Sequence, residues 1–198
     1  MTNQCILQIA LLLGFSTTAF SISYNLLRLQ QRNCNLALQD LLWQLNGTSQ
    51  NCLKDRIDFK LPEEIRQPQQ FQKDDAILLI HVMLQQIFGI FRRNFSSTGW
   101  NETIIEHFYE ELSHQRDRLE TVLEEIMEEE NFTWRNMITL HLKNYYLRIR
   151  RHLKAKSYSS CAWVVVRVEI LRNFFFLNRL TDYLRNRVSP ACASGNED

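Results

Sequence analysis

Apolar residues recur along this chain at three- and four-residue steps, the period of a helix face rather than of a strand. Five stretches show it. From about Tyr24 to Leu45, the residues Leu27, Cys34, Leu38, Leu41 and Leu45 share one stripe, and Asn46-Gly47 stops it as a helix terminator should. Asp74–Arg93 (DDAILLIHVMLQQIFGIFRR) reads as a second helix with Asp74 as its N-cap. A third starts near Asn101 and aligns Ile105, Phe108, Leu112, Leu119, Val122 and Ile126. A fourth, from about Thr133 to Lys156, aligns Trp134, Ile138, Tyr145, Ile149 and Leu153.

The fifth stretch, from near Ser160 to about Arg187, contains CAWVVVRVEILRNFFFL, an apolar run with Arg167, Glu169, Arg172 and Asn173 in its middle. Trp163, Val166, Ile170, Phe174, Leu177, Thr181 and Leu184 fall on one uncharged face at about 100° per residue. Val164, Val168, Leu171 and Phe175 form a second stripe beside it, and Arg167, Arg172, Arg179 and Arg185 are read as lying off the main stripe. A bilayer span would bury at least two of the charges, so a helix buried on more than one side is the expectation. The mixture of arginines with apolar neighbours on the outer side suits a protein–protein contact.

Connection lengths set the topology. Asn94–Trp100 is short, so the second and third helices should be antiparallel neighbours. Thr48–Gln72, with Pro62 and Pro68, is long enough to cross the bundle and let the second helix run parallel to the first. The fold expected is an all-α bundle with one long crossover.

Composition agrees with one folded domain. Of 198 residues, 45 % are hydrophobic and 23 % charged, which excludes a disordered chain, and five Gly with three Pro leave few breaks. A net charge of +1 gives no overall pull toward nucleic acid, and none is expected as a partner. The N-terminus reads as a removable signal, residues 1–21. Ile6–Phe15 is a short apolar core, and Ala19 and Ser21 stand three and one residues before a cut at Ile22, although Met1–Cys5 carries no Lys or Arg. Residues 22–187 are then the helical domain and 188–198 a flexible tail.

In an oxidising compartment the remaining cysteines, Cys34, Cys52, Cys161 and Cys192, allow three pairings. Cys52–Cys161 is favoured, because it joins the end of the first helix to the start of the last and makes those helices antiparallel. A Cys34–Cys192 bridge stays open. N-x-S/T sequons at Asn46, Asn94, Asn101 and Asn131 all fall at expected helix ends or loops, where a glycan is tolerated.

Catalytic signatures are missing from the sequence. There is no G-x-S-x-G, Gly-rich phosphate loop, H-E-x-x-H or C-x-x-C. Glu111 and His114 have the E-x-x-H spacing of di-metal bundles, but no second such pair exists and both should face solvent. No catalytic residue, metal or cofactor is therefore expected. The acidic run Glu124–Glu130 and the basic run Arg148–Lys156 (RIRRHLKAK) read first as solvated faces, the latter with a sulfated glycan or a receptor as its alternative partner.

Specific blocks go further. Tyr145-Tyr146, Arg148-Ile149, Leu153 and Cys161-Ala162-Trp163 resemble the signature of the type I interferons. LLWQLNG (Leu41–Gly47), CLKDR (Cys52–Arg56), LPEEI (Leu61–Ile65), STGWNET (Ser97–Thr103) and VRVEILRN (Val166–Asn173) resemble the beta group of that family most closely. The resemblance covers Ser23 to Asn186. His152 departs from it, standing where the family usually has an aromatic residue, and Arg187–Asp198 extends beyond the usual end.

The resemblance implies a secreted helical cytokine of five helices that acts as a monomer, without entering a membrane, on a two-chain type I interferon receptor. Its high-affinity chain would contact Leu53 and Arg56 in the crossover and Arg167, Val168, Leu171 and Arg172 in the last helix. The low-affinity chain would contact Ile104 and Tyr109. The family disulfide maps onto Cys52 and Cys161 and the beta-type glycan onto Asn101, while Cys34 matches no family disulfide position. A secreted di-metal bundle enzyme and a membrane-active amphipathic protein are the rival classes.

Overall fold

The computed structural model describes residues 24–47, 49–67, 71–126 and 132–185. The expected signal segment, the tail 188–198, Asn131 and Cys192 lie outside these residues. Six α-helices and no strand occur among the described residues: α1 (24–44), α2 (Glu63–Arg66), α3 (Lys73–Phe91), α4 (Glu102–Ile126), α5 (Phe132–Ala155) and α6 (Ser160–Tyr183). The one that periodicity does not signal is α2, a single turn inside the crossover. Only Ile65 of its four residues is buried, so it carries no stripe. The start of α3 also differs slightly, since Asp75 rather than Asp74 closes it by accepting the Gln72 N–H at 3.2 Å.

Contacts at the helix ends fix the directions. Tyr24 at the start of α1 donates to Asp74 at the start of α3, so the two helices run parallel. Arg32 meets Asp182 at 3.3 Å and Asn35 donates to Asn178 at 2.9 Å, so α6 returns antiparallel to α1. Phe91 packs on Phe108 and Phe88 on Tyr109, which sets α4 antiparallel to α3. Arg135 pairs with Asp75 at 2.7 Å and Arg150 donates to Gln86 at 2.8 Å, so α5 runs along α3.

The α6 stripe read from the sequence is the centre of the core: Trp163, Val166, Ile170, Phe174, Leu177, Thr181 and Leu184 are all fully buried. Hydrophobic burial is the main stabilising term, at about 1.5–3 kcal/mol for each large side chain. α3 is apolar and long enough to cross a bilayer, yet its buried residues lie in the bundle core. At one end, Phe91, Trp100, Phe108 and Trp163 form an aromatic cluster. Its two indoles donate to backbone carbonyls, Trp100 to Asn46 and Trp163 to Asn94, each at 2.8 Å. These bonds tie the end of α1 and the α3–α4 loop to the start of α6.

Two polar networks interrupt this core. Gln31, Asn35 and Gln115 hydrogen-bond across α1 and α4, with Asn35 also reaching Thr181. Tyr145 donates to Glu169 and Tyr146 to Asn173, each at 2.6 Å. Burial of polar groups is tolerated there because most find a partner, although among the described residues Gln115 Oε1 is buried without one.

Candidate functional site

The crossover is fastened over α6 at three points. Cys52 and Cys161 form a disulfide that closes a loop of 109 residues. Loop-closure entropy values such a link at about 4–5 kcal/mol. Arg148 donates to the carbonyls of Phe59 and Lys60 at 2.9 and 2.8 Å, and Lys156 pairs with Asp55 at 2.8 Å. Phe59 is buried beneath the loop, edge-on to His152, whose imidazole burial holds below its ordinary value.

Between the fastened loop and α6 lies an open groove of about 800 Å³. Leu53, Arg56 and Ile57 line one wall; Val165, Val168 and Arg172 line the other, with Glu169 at the base. Leu53, Ile57 and Val168 expose 63 %, 47 % and 44 % of their surface, more apolar area than a solvated loop and helix need. Glu169 is itself buried. It accepts from Tyr145 and lies 3.6 Å from the Arg172 guanidinium, which also stands 5.9 Å from the Phe176 ring centroid. A buried Tyr–Glu pair thus orients the exposed Arg172.

Arg167 does not fit the expectation of a solvent-facing arginine. It is 6 % exposed, and its guanidinium donates to the carbonyls of Leu45 and Gly47 at the end of α1. Burial pushes that guanidinium below its ordinary value, the cost that the two carbonyls offset. The reason is geometric: Arg167 follows Trp163 by four residues, which puts it only about 40° from the core stripe. Arg172 is nearly opposite that stripe and exposed.

Gly47 makes the close approach possible. Its φ is +114°, and a Cβ there would sit 2.5 Å from Val164 Cγ2. Val164, expected on an outer stripe, is accordingly buried under the end of α1.

The structure therefore brings Leu53, Arg56, Val168 and Arg172 to one groove. It places Leu171 half-buried against the core beside it and withdraws Arg167 beneath it. Ile104 and Tyr109 stand apart on α4, both half-buried. Tyr109 packs edge-on to Phe88, and burial pushes its hydroxyl up to about 12. Sequence reasoning missed Ile57 and Glu169; the i, i+3 spacing of Glu169 and Arg172 is the signal that could have found the latter.

Three sequon asparagines are exposed. The Asn94 side chain accepts from Ser96, and the Asn101 side chain accepts from the Thr103 N–H at 2.9 Å, capping α4. Asn46 sits between α1 and the crossover. Among the described residues Cys34 is a free, half-buried thiol beside Arg118, and the Cys34–Cys192 pairing lies outside them. His114 is exposed and Glu111 half-exposed, and among the described residues no three His, Cys, Asp or Glu side chains gather as a metal site would need.

Comparison with known proteins agrees with this architecture. Residues 27–184 match the interferon alpha/beta domain. The chain is 64 % identical to interferon beta of Homo sapiens over 187 residues, covering 94 % of this chain and 100 % of that one. Interferon beta of Macaca fascicularis is 63 % identical, with the same coverage of both chains. Interferon beta of Mus musculus is 50 % identical, again covering 94 % and 100 %. Among solved structures, zebrafish interferon 1 superposes with a TM-score of 0.65 over 78 % of this chain and 96 % of its own, at 16 % identity, a likeness of fold.

Proposed function

This chain belongs to the interferon alpha/beta family, and from that premise we propose that it is secreted and signals by bringing together the two chains of the type I interferon receptor. As a member of that family it is a cytokine and not an enzyme. Receptor pairing would activate JAK–STAT signalling and so an antiviral, antiproliferative and immunomodulatory programme of gene expression.

The observation that carries this reading is the groove between the crossover and α6. It combines exposed Leu53, Ile57 and Val168 with two exposed arginines, Arg56 and Arg172, on a loop fixed by a disulfide and three further bonds. Apolar anchors beside arginines are the composition of binding hot spots, and a pre-fixed loop lowers the entropy cost of association. The high-affinity receptor chain is assigned to this groove. The low-affinity chain is assigned to the α4 surface around Ile104 and Tyr109, so that one molecule can hold both. Residues 1–21 act as the secretion signal, and Asn46, Asn94, Asn101 and Asn131 are glycan acceptors.

The test compares cells with and without the type I interferon receptor. STAT phosphorylation should appear only in receptor-bearing cells; a response that is absent, or independent of the receptor, would refute the proposal.

A further inference from the structure

The fold divides the basic run RIRRHLKAK between two tasks. Arg148 and Lys156 are committed to the crossover, on one side of α5. Arg150, Arg151 and Lys154 point to another side, where Arg93 from the end of α3 joins them around a shallow recess of about 170 Å³. Residues 150 and 154 are one turn apart and residue 151 is beside them, so all three share one helix face. Lys143 is exposed two turns earlier on the same face and extends the line to about 16 Å at 1.5 Å per residue.

Among the described residues no carboxylate neutralises this line. Within them none of Arg93, Arg150, Arg151, Lys154 and Lys143 takes part in an ion pair, and Arg150 is held only by the neutral amide of Gln86. The Arg150 guanidinium is pushed below its ordinary value by its own burial and then by the positive charge of Arg93. Such repulsion within a protein of net charge +1 is relieved by an anion placed across the recess.

We propose that the recess of Arg93, Arg150, Arg151 and Lys154, with Lys143 beyond it, is a docking track for a sulfated polysaccharide. The line is extended, as a linear polyanion requires, and the guanidinium groups match sulfate oxygens in pairs. A bilayer surface fits less well. At the recess itself Leu147 and Tyr158 are half-buried and Leu153 is fully buried, and exposed Leu140 stands only beside Lys143 at the far end of the line, which leaves little apolar surface among the clustered cations to insert. The track is separate from the receptor groove, because the cations that hold the crossover are the ones it does not use.

The probe is a heparin fragment, titrated at physiological ionic strength against the full secreted chain with its N-glycans trimmed, so that a sugar at Asn94 cannot mask Arg93. The parent should bind, with affinity that falls as salt rises. Arg151→Ser/Lys154→Ser should weaken it at least about tenfold, whereas Arg118→Ser/Arg179→Ser, which removes equal charge elsewhere, should change it less than about twofold. Equal losses in both variants would reduce the effect to net charge and overturn the track, as would binding to phosphatidylserine vesicles without binding to heparin. This arm needs no receptor, so it stands or falls apart from the signalling test. Arg151→Ser/Lys154→Ser should also keep receptor-dependent STAT phosphorylation on cells lacking sulfated glycans; its loss there would reassign the two residues to the receptor.

Discussion

Replacing Arg167 separates support from contact. Arg167→Met keeps the apolar stem and removes the guanidinium, leaving the Leu45 and Gly47 carbonyls without their donor. Each hydrogen bond to a charged group contributes about 1.5–3 kcal/mol net. Part of that loss is returned because a buried charge need no longer be desolvated, and Arg167 Nε already lacks a partner. The balance is a destabilisation of about 2–4 kcal/mol, or a fall in Tm of about 5–15 °C for a chain of this size. Arg172→Met is the companion, since Arg172 is exposed and its pairing with Glu169 is long. That variant should leave Tm within about 1–2 °C, because exposed substitutions change stability by about half a kcal/mol or less. The assay pairs scanning calorimetry with surface-based binding to the high-affinity receptor chain. Arg167→Met should lose stability and, through a displaced crossover, affinity as well; Arg172→Met should lose affinity alone. An unchanged Tm in Arg167→Met, with affinity lost as in Arg172→Met, would refute the clamp and restore Arg167 as a receptor contact.

Other perturbations test the same frame. Arg56→Ala should weaken binding to the high-affinity receptor chain by about 2 kcal/mol, read by surface-based binding, with Tm unchanged. Gly47→Ala should destabilise by at least about 1–2 kcal/mol in urea unfolding, because an L side chain at its positive φ is strained and would meet Val164; an unchanged midpoint would show that α1 can shift. Cys52→Ala should cost about 2–5 kcal/mol of stability and loosen the groove, seen as a lower Tm and faster proteolysis of the crossover. His152 is held below its ordinary value first by burial, with Asp55 opposing and Lys156 assisting, so the folded state favours the neutral ring. Its contribution is therefore present above about pH 6.5 and lost as pH falls through the folded value. His152→Phe should narrow the difference between urea midpoints at pH 7.5 and pH 5, leaving the share due to His81, which burial also holds low.

The groove lies where two separate readings met. Periodicity showed α6 to be amphipathic on two sides, and the family blocks pointed to CLKDR and VRVEILRN. The sequence could not say which arginine faces outward. Its stripe analysis treated Arg167 and Arg172 alike, because a residue about 40° from a core stripe is buried or exposed according to what packs beside it. The end of α1 packs there, and its free carbonyls need a donor. Glu169 was obscured in the same way, since Tyr145 on α5 is its partner and lies 24 residues away.

The sequence by itself determined the five long helices, their order, the uncharged face of α6 and the family, because side-chain period and specific blocks are local properties of the chain. It also made Cys52–Cys161 the favoured bridge. Only the tertiary structure decided which charges are used. It withdrew Arg167 to the end of α1, set Arg172 on a buried glutamate, and split one basic run between the crossover and an open recess. A side chain's electrostatic role depends on neighbours brought from distant parts of the chain, and burial, not spacing, determines whether its charge is held inside or offered to a partner.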